Sequence, residues 1–228
     1  MGCLREKIQR IHCRVIKITI KEVHILKELI DKLGEQHTLS LSEGTQLISG
    51  RDDDTASYLY VQATKARRAV YGDRIFLRGL IEYTNYCCLD CSYCGIRKSN
   101  TGVQRYRLGA DEILLSCAQG YELGFRSFVL QGGSDPFYDT QRLSALIKII
   151  KTQFPDCAVS LVSAACMSID DLCELKRAGL DRYLLRFESS DSTYYRELHP
   201  AGPAFGEREH GIEDAMRAGF QTGTGFMT

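Results

Sequence analysis

The chain has no excess of either charge: 29 Lys and Arg stand against 29 Asp and Glu in 228 residues. Holding nucleic acid or an anionic membrane by an overall field takes a basic surplus, so neither partner is expected and a small-molecule substrate becomes the default. No apolar run approaches the roughly 20 residues that cross a bilayer. The start of the chain also lacks the apolar core and small-residue cleavage site of a signal peptide, so a cytoplasmic protein is expected. A regular disulfide framework is missing too. Of the ten cysteines, Cys3, Cys13, Cys117, Cys157, Cys166 and Cys173 fall mostly in predicted helices and strands, and read as reduced, buried thiols. A composition that is 44% hydrophobic and 25% charged, at this length, supports one sizeable core.

The other four cysteines lie within eight residues, Cys87-Cys88-Leu89-Asp90-Cys91-Ser92-Tyr93-Cys94. Thiolates three or four positions apart on a tight loop can converge on one centre. A ferredoxin-like use of Cys88, Cys91 and Cys94 needs a fourth Cys at 98 followed by Pro, where the chain has Lys98 and Ser99. Structural zinc needs a second CxxC or a His pair, but Cys166 and Cys173 are seven apart and the five histidines are scattered. The remaining set is Cys87, Cys91 and Cys94, a CxxxCxxC whose three thiolates suit a [4Fe-4S] cube with one iron left open. An open metal position can bind a substrate or cofactor directly. Asp90, inside the loop, is either a fourth ligand or a solvated loop acid.

Residues 1–21 carry six basic side chains, with Leu4, Ile8, Ile11, Val15 and Ile18 at helical spacing. They read as a basic leader, incidental to function and poorly ordered, or as an amphipathic surface helix. A helical extension over 22–76 follows, with helices expected at about 22–33, 43–50 and 54–71. From residue 77 strands and helices alternate. Strands are expected at 77–85, 127–131, 158–162, 182–188 and 221–227, and helices at 110–123, 139–153, 168–178 and 206–218.

Three helix ends share one pattern, with Gly124, Gly179 and Gly219 each followed by an apolar residue, which predicts left-handed glycine caps. Ser168 and Asp171 predict a capping box. Strands joined by crossover helices must be parallel, so residues 77–228 are expected to form a (β/α) TIM-type barrel. A full barrel has eight strands, so about five implies either a chain truncated at its C-terminus or an open sheet.

CxxxCxxC with an aromatic before its last Cys, here Tyr93, placed after the first strand of such a barrel, resembles the radical S-adenosylmethionine (SAM) superfamily. The resemblance implies that the open iron chelates the amino and carboxylate groups of SAM. One electron from the cluster would then split SAM into methionine and a 5′-deoxyadenosyl radical. Within the superfamily, Gly79-Leu80-Ile81-Glu82-Tyr83-Thr84-Asn85-Tyr86-Cys87, Arg105-Tyr106-Arg107, Val129-Leu130-Gln131 and Asp181-Arg182-Tyr183-Leu184-Leu185-Arg186 resemble the biotin-synthase-like branch, and in it the HydE family of [FeFe]-hydrogenase maturases. By that similarity Cys87, Cys91 and Cys94 hold the cluster and Tyr93 lies near the adenine. Gly132 and Gly133 face the SAM amino group, and Arg186 grips its carboxylate.

The same similarity implies a small-molecule or iron-complex substrate and other hydrogenase maturation proteins as partners. It further implies an electron donor such as ferredoxin or flavodoxin, in an anaerobe. From the residues alone, Gly132 and Gly133 also read as a strand-end turn.

Two positions depart from the family pattern. Ser134 stands where a Glu follows the strand-two glycine, and Ser163 where the third strand ends in Glu. Asp135 and Glu188 are candidates to compensate; otherwise Asp135 caps the turn before Pro136 and Glu188 pairs with a neighbouring Arg. His199, Tyr194 and Tyr195 read as packing residues near the expected mouth, with catalysis as the other reading. Arg97 and Lys98 are either solvated or face an anionic substrate. Another biotin-synthase-like enzyme, or a non-catalytic iron–sulfur module, remains an alternative.

Overall fold

The computed structural model describes residues 24–227, so the basic leader lies outside the described residues. The described chain falls into two compact units, one ending at Ile75 and the other beginning at Phe76.

The first unit is helical: α1 (seen over 24–36), α2 (Leu41–Ser49) and α3 (Asp53–Tyr71). Leu26, Leu29 and Ile30 pack with Leu47, and Tyr58 and Leu59 lean on that cluster. The second helix starts in a full capping box, Ser40 Oγ accepting from Glu43 N and Glu43 accepting from Ser40 N.

The second unit holds five strands in sequential order, all parallel: β1 (Gly79–Thr84), β2 (Ser127–Gly132), β3 (Ala158–Ser163), β4 (Arg182–Leu185) and β5 (Gln221–Gly223). The crossovers carry α4 (Ala110–Glu122), α5 (Thr140–Gln153), α6 (Ile169–Arg177), α7 (Ser192–Leu198) and α8 (Phe205–Arg217). Register explains the two faces. Ile81, Leu130, Leu161 and Tyr183 stand side by side across four strands, all buried in the cluster that Ile113, Ile147, Ile150 and Leu172 complete from the helices. Each such aliphatic side chain contributes about 1.5–3 kcal/mol by leaving water. One residue further on, Glu82, Gln131, Val162 and Leu184 form the opposite layer. Gln131 Nε2 donates to Glu82 Oε1 at 3.3 Å on that face, which a (β/α) barrel turns inward.

The three glycine caps form as the sequence implies. Gly124, Gly179 and Gly219 have φ of 91°, 103° and 81°. Phe125 N, Leu180 N and Phe220 N reach back to Gly120 O, Leu175 O and Ala215 O, the Schellman pattern. Ser168 Oγ accepts from Asp171 N at 3.2 Å, but Asp171 answers the Ser168 hydroxyl at 2.6 Å instead of its backbone N–H, so only half of the expected box is present.

Three expectations need correction. The strand expected over 182–188 ends at Leu185, because Glu188 takes a left-handed φ of 70° that no strand accommodates. The strand expected over 221–227 ends at Gly223; pairing resumes only as a single bridge between Glu188 and Phe226. The helix α7 was not foreseen: it is seven residues long, and its start is fixed by Asp191, whose carboxylate accepts from Thr193 N and Tyr194 N.

Candidate functional site

The cysteine loop leaves the carboxyl end of β1, where a register shift between Glu82 and Thr84 bends the strand. Residues 104–108 return antiparallel to close it: Asn85 N donates to Tyr106 O and Leu108 N to Tyr83 O. Inside the loop the backbone winds in successive tight turns, with Cys94 N on Cys91 O and Arg97 N on Cys94 O, and Lys98 N reaches back to Leu89 O to close them. Asp90 is half-exposed and is tied to the far side of the loop. Its carboxylate accepts Ser99 N at 2.9 Å, and hydrogen bonding to Ser99 holds it below the ordinary aspartate range.

Arg105, which sequence reasoning left without a role, is the loop's internal tie. Its guanidinium donates to Asn85 O, to Ile96 O at 2.9 Å, to Arg97 O at 2.8 Å and to Asn100 O at 3.1 Å. Five fixed N–H donors suit this task as no lysine would. Arg97 turns inward too, Nη1 donating to Cys94 O at 3.0 Å, and is not a free surface cation.

The loop rests on the turn after β2. Ser134 N donates to Cys87 Sγ at 3.3 Å, and Cys88 N donates to Ser134 O at 2.8 Å. A Cβ on Gly133 would lie 2.1 Å from Tyr86 O and 2.7 Å from Cys87 Cβ, so the two backbones meet where only glycine fits. Cys91 is buried, Cys87 and Cys94 are half-buried, and Cys88 is exposed. Burial above all, then the neighbouring Cys87 and Cys94 thiols, push the Cys91 thiol up. Among the described residues no three His, Cys, Asp or Glu side chains close on a single metal ion. A cube of four irons, which meets its thiolates at separate corners, makes a wider demand that three cysteines on one loop suit. Of the thiols expected to be buried, Cys117 and Cys157 are, whereas Cys166 and Cys173 are half-buried; Cys3 and Cys13 lie outside the described residues.

Asp135 does not compensate for the missing acid. Its side chain is 1% exposed and is gripped by Arg107, Nε to Oδ2 at 2.7 Å and Nη2 to Oδ1 at 3.0 Å. It also accepts from Thr84 Oγ1 at 2.8 Å and Phe137 N at 3.1 Å. Burial pushes its pKa up, but these bonds outweigh burial and hold it below the usual range. A depressed folded-state pKa means that its contribution is present above the ordinary aspartate value, about 3.9, and is lost as pH falls through the lower folded value. Asp135→Asn is expected to cost about 2 kcal/mol at neutral pH, less than a fully buried pair because Arg107 keeps solvent contact. In urea titrations the deficit should shrink as pH falls toward 3; an equal deficit at both pH values contradicts this account.

Ser163 and Ser134, the two departures from the family pattern, line one cavity of about 270 Å³ together with Gly133, Asp135, Val162 and Cys166. Arg186, just past β4, is half-buried, and its guanidinium makes no hydrogen bond or ion pair with a described residue. Glu188 pairs with no Arg among the described residues. Its strained backbone is held by Glu188 N to Gly225 O at 2.9 Å and Met227 N to Glu188 O at 3.0 Å.

His199 is a packing residue in this arrangement. It is buried, stacks on Tyr195 at 4.2 Å, and shares a 3.1 Å hydrogen bond with the Tyr93 hydroxyl through Nε2. Its Nδ1 meets Tyr195 O at 2.9 Å, which makes Nε2 the acceptor for Tyr93. Tyr194 is exposed.

The family model for the radical SAM superfamily matches residues 81–228, the whole span from β1 through the cysteine loop to β5. The chain belongs to the radical SAM superfamily. Its relatives include the [FeFe] hydrogenase maturase subunit HydE of Thermotoga maritima, 31% identical over 88% of this chain and 56% of that one. The biotin synthase of Magnetococcus marinus is 31% identical over 68% of this chain and 48% of its own length. The crystal structure of methylornithine synthase (PylB) superposes with a TM-score of 0.78 at 29% identity, covering 88% of this chain and 59% of that one. The chain thus spans about half the length of the curated relatives it matches. Membership in the radical SAM superfamily implies a [4Fe-4S] cluster and SAM. No helix among the described residues is long and apolar enough to cross a membrane.

Proposed function

We propose that this chain is a catalytic radical SAM core in which Cys87, Cys91 and Cys94 hold the [4Fe-4S] cluster. The observation that carries the reading is the placement of these three thiols on one tied loop at the carboxyl end of β1, seated on the glycine turn of β2. When bound, the cluster supplies the electron that cleaves SAM. The chain's own task is to position the reactants. Tyr93, whose ring edge stands beside His199, flanks the adenine. Gly132 and Gly133, at the carboxyl end of β2, face the amino group, and Arg186 offers a bidentate donor to the carboxylate. All lie in the cysteine loop or at strand carboxyl ends, where barrel sites are built.

At the level of substrate, the reading best supported is assembly of the diiron subcluster of [FeFe] hydrogenase, given the similarity to HydE over most of this chain. Its partners are then a small-molecule or iron-complex substrate, other hydrogenase maturation proteins, and a ferredoxin or flavodoxin. A second reading, a different substrate in a biotin-synthase-like enzyme, is favoured by Ser134 and Ser163, which make the cavity between β2 and β3 less acidic than the family pattern.

Anaerobic reconstitution followed by dithionite and SAM is expected to yield 5′-deoxyadenosine. A cluster-loaded protein that forms none is a non-catalytic iron–sulfur module, and the enzyme reading falls. Complementation of a strain lacking its maturase separates the two substrates.

A further inference from the structure

His199 follows the last residue of α7, and each of its ring nitrogens has one partner. Nδ1 lies 2.9 Å from Tyr195 O, an oxygen that only accepts, so this nitrogen carries the proton. Nε2 keeps a lone pair, and the hydroxyl that donates to it at 3.1 Å belongs to Tyr93, inside the cysteine loop. Burial pushes the His199 pKa down, which leaves that lone pair in place at neutral pH.

The acceptor is itself held firmly. His199 stacks on Tyr195, and Tyr195 is fully buried, its hydroxyl donating to Pro203 O at 3.1 Å and accepting from Arg208 Nε at 2.9 Å. Behind the ring the chain turns, with Gly202 N donating to His199 O at 3.2 Å. The end of α7 grips the cysteine loop a second time, since Ser92 N donates to Leu198 O at 2.9 Å. Two adjacent loop residues, Ser92 and Tyr93, are therefore fixed by two adjacent residues, Leu198 and His199.

Tyr93 is the side chain that profits from this hold. Its ring is 39% exposed and meets the His199 ring at 82°, with the centroids 5.6 Å apart. An exposed tyrosine on a loop has several staggered rotamers, and a ligand that must select one of them loses affinity that a fixed ring does not cost. We propose that His199 is a positioning residue for SAM: by accepting the Tyr93 hydroxyl it fixes the ring that flanks the adenine, and so sets cofactor affinity without touching the cofactor. The Cys91 thiol also borders this hydroxyl, but a hydroxyl has one proton to donate, and the 3.1 Å bond gives it to His199.

This inference rests on the reading that places Tyr93 beside the adenine, and the test separates the two. The full chain is compared as wild type, Tyr93→Phe, His199→Phe, the double variant and His199→Gln. In the metal-free protein, ring ¹⁵N spectra should show a neutral His199 protonated at Nδ1, with an Nε2 resonance that moves on Tyr93→Phe. An unmoved resonance overturns the inference. After anaerobic reconstitution, SAM affinity is measured by equilibrium dialysis against the oxidised cluster, where no cleavage occurs. Tyr93→Phe and His199→Phe are each expected to weaken SAM binding about fivefold at unchanged iron content, the order of one hydrogen bond and one freed side chain. Because both remove the same bond, the double variant should lose no more than either single one. His199→Gln, with an acceptor at about the reach of Nε2, should recover most of the affinity. Wild-type affinity in either single variant overturns the inference, and Tyr93→Phe, which leaves α7 untouched, decides it even where His199→Phe does not fold. Losses that multiply in the double variant make His199 a structural residue and overturn it too. A cluster-loaded wild type that binds no SAM overturns the adenine reading of Tyr93 as well.

Discussion

Anaerobic reconstitution of Cys88→Ala is expected to return the iron content of the unaltered chain, and that of Cys87→Ala close to none. The two residues are adjacent in sequence but differ in every respect that bears on ligation. Cys87 Sγ is half-buried and already accepts the Ser134 N–H at 3.3 Å, the kind of bond that sustains a thiolate on a cluster. Cys88 is exposed, and its Sγ turns to the Ser134 hydroxyl at 3.4 Å. Cys87 and Cys94 are also the thiols that act electrostatically on the buried Cys91. Iron and sulfide analysis with the visible spectrum decides the matter. Loss of iron in the Cys88 variant with retention in the Cys87 variant would falsify the assignment and revive the CxxCxxC set.

Where the fold repeats a local rule, sequence alone was enough. The alternating faces of the strands, the three glycine caps and the parallel order all follow from periods of two and 3.6 residues and from the need to cover a parallel sheet. Legibility failed where the decisive partner is distant in sequence. Nothing local marks Arg105 as the residue that gathers four carbonyls, since an isolated Arg beside a loop reads as solvated until the loop closes around it. Asp135 looked like a candidate for the missing acid because its partners, Arg107 and Thr84, come from the far side of the cysteine loop. The strand ends near Glu188 were misplaced because the apolar pattern continues while the backbone turns left-handed.

Gly133→Ala is expected to cost about 3 kcal/mol of stability, the upper part of the range for overpacking, and to abolish iron uptake. The penalty does not come from backbone conformation, since Gly133 is not among the left-handed residues. It comes from space: the added methyl meets Tyr86 O at 2.1 Å and Tyr86 C at 2.9 Å, backbone atoms that can retreat only by moving the loop that carries Cys87. Gly132 is less constrained, its nearest neighbour being the Thr84 Cγ2 methyl at 2.7 Å, so Gly132→Ala should fall between Gly133→Ala and wild type. Gly95, on the same loop, has nothing within 4 Å of an added Cβ, and Gly95→Ala should stay within about 0.5 kcal/mol of wild type. Urea unfolding and iron content, measured on the three variants together, test the ordering. A Gly133→Ala protein with wild-type stability and full iron would show that the β2 turn does not set the position of Cys87. If the ordering holds, the close approach of the turn after β2 to the loop is what sets the position of the first cluster cysteine.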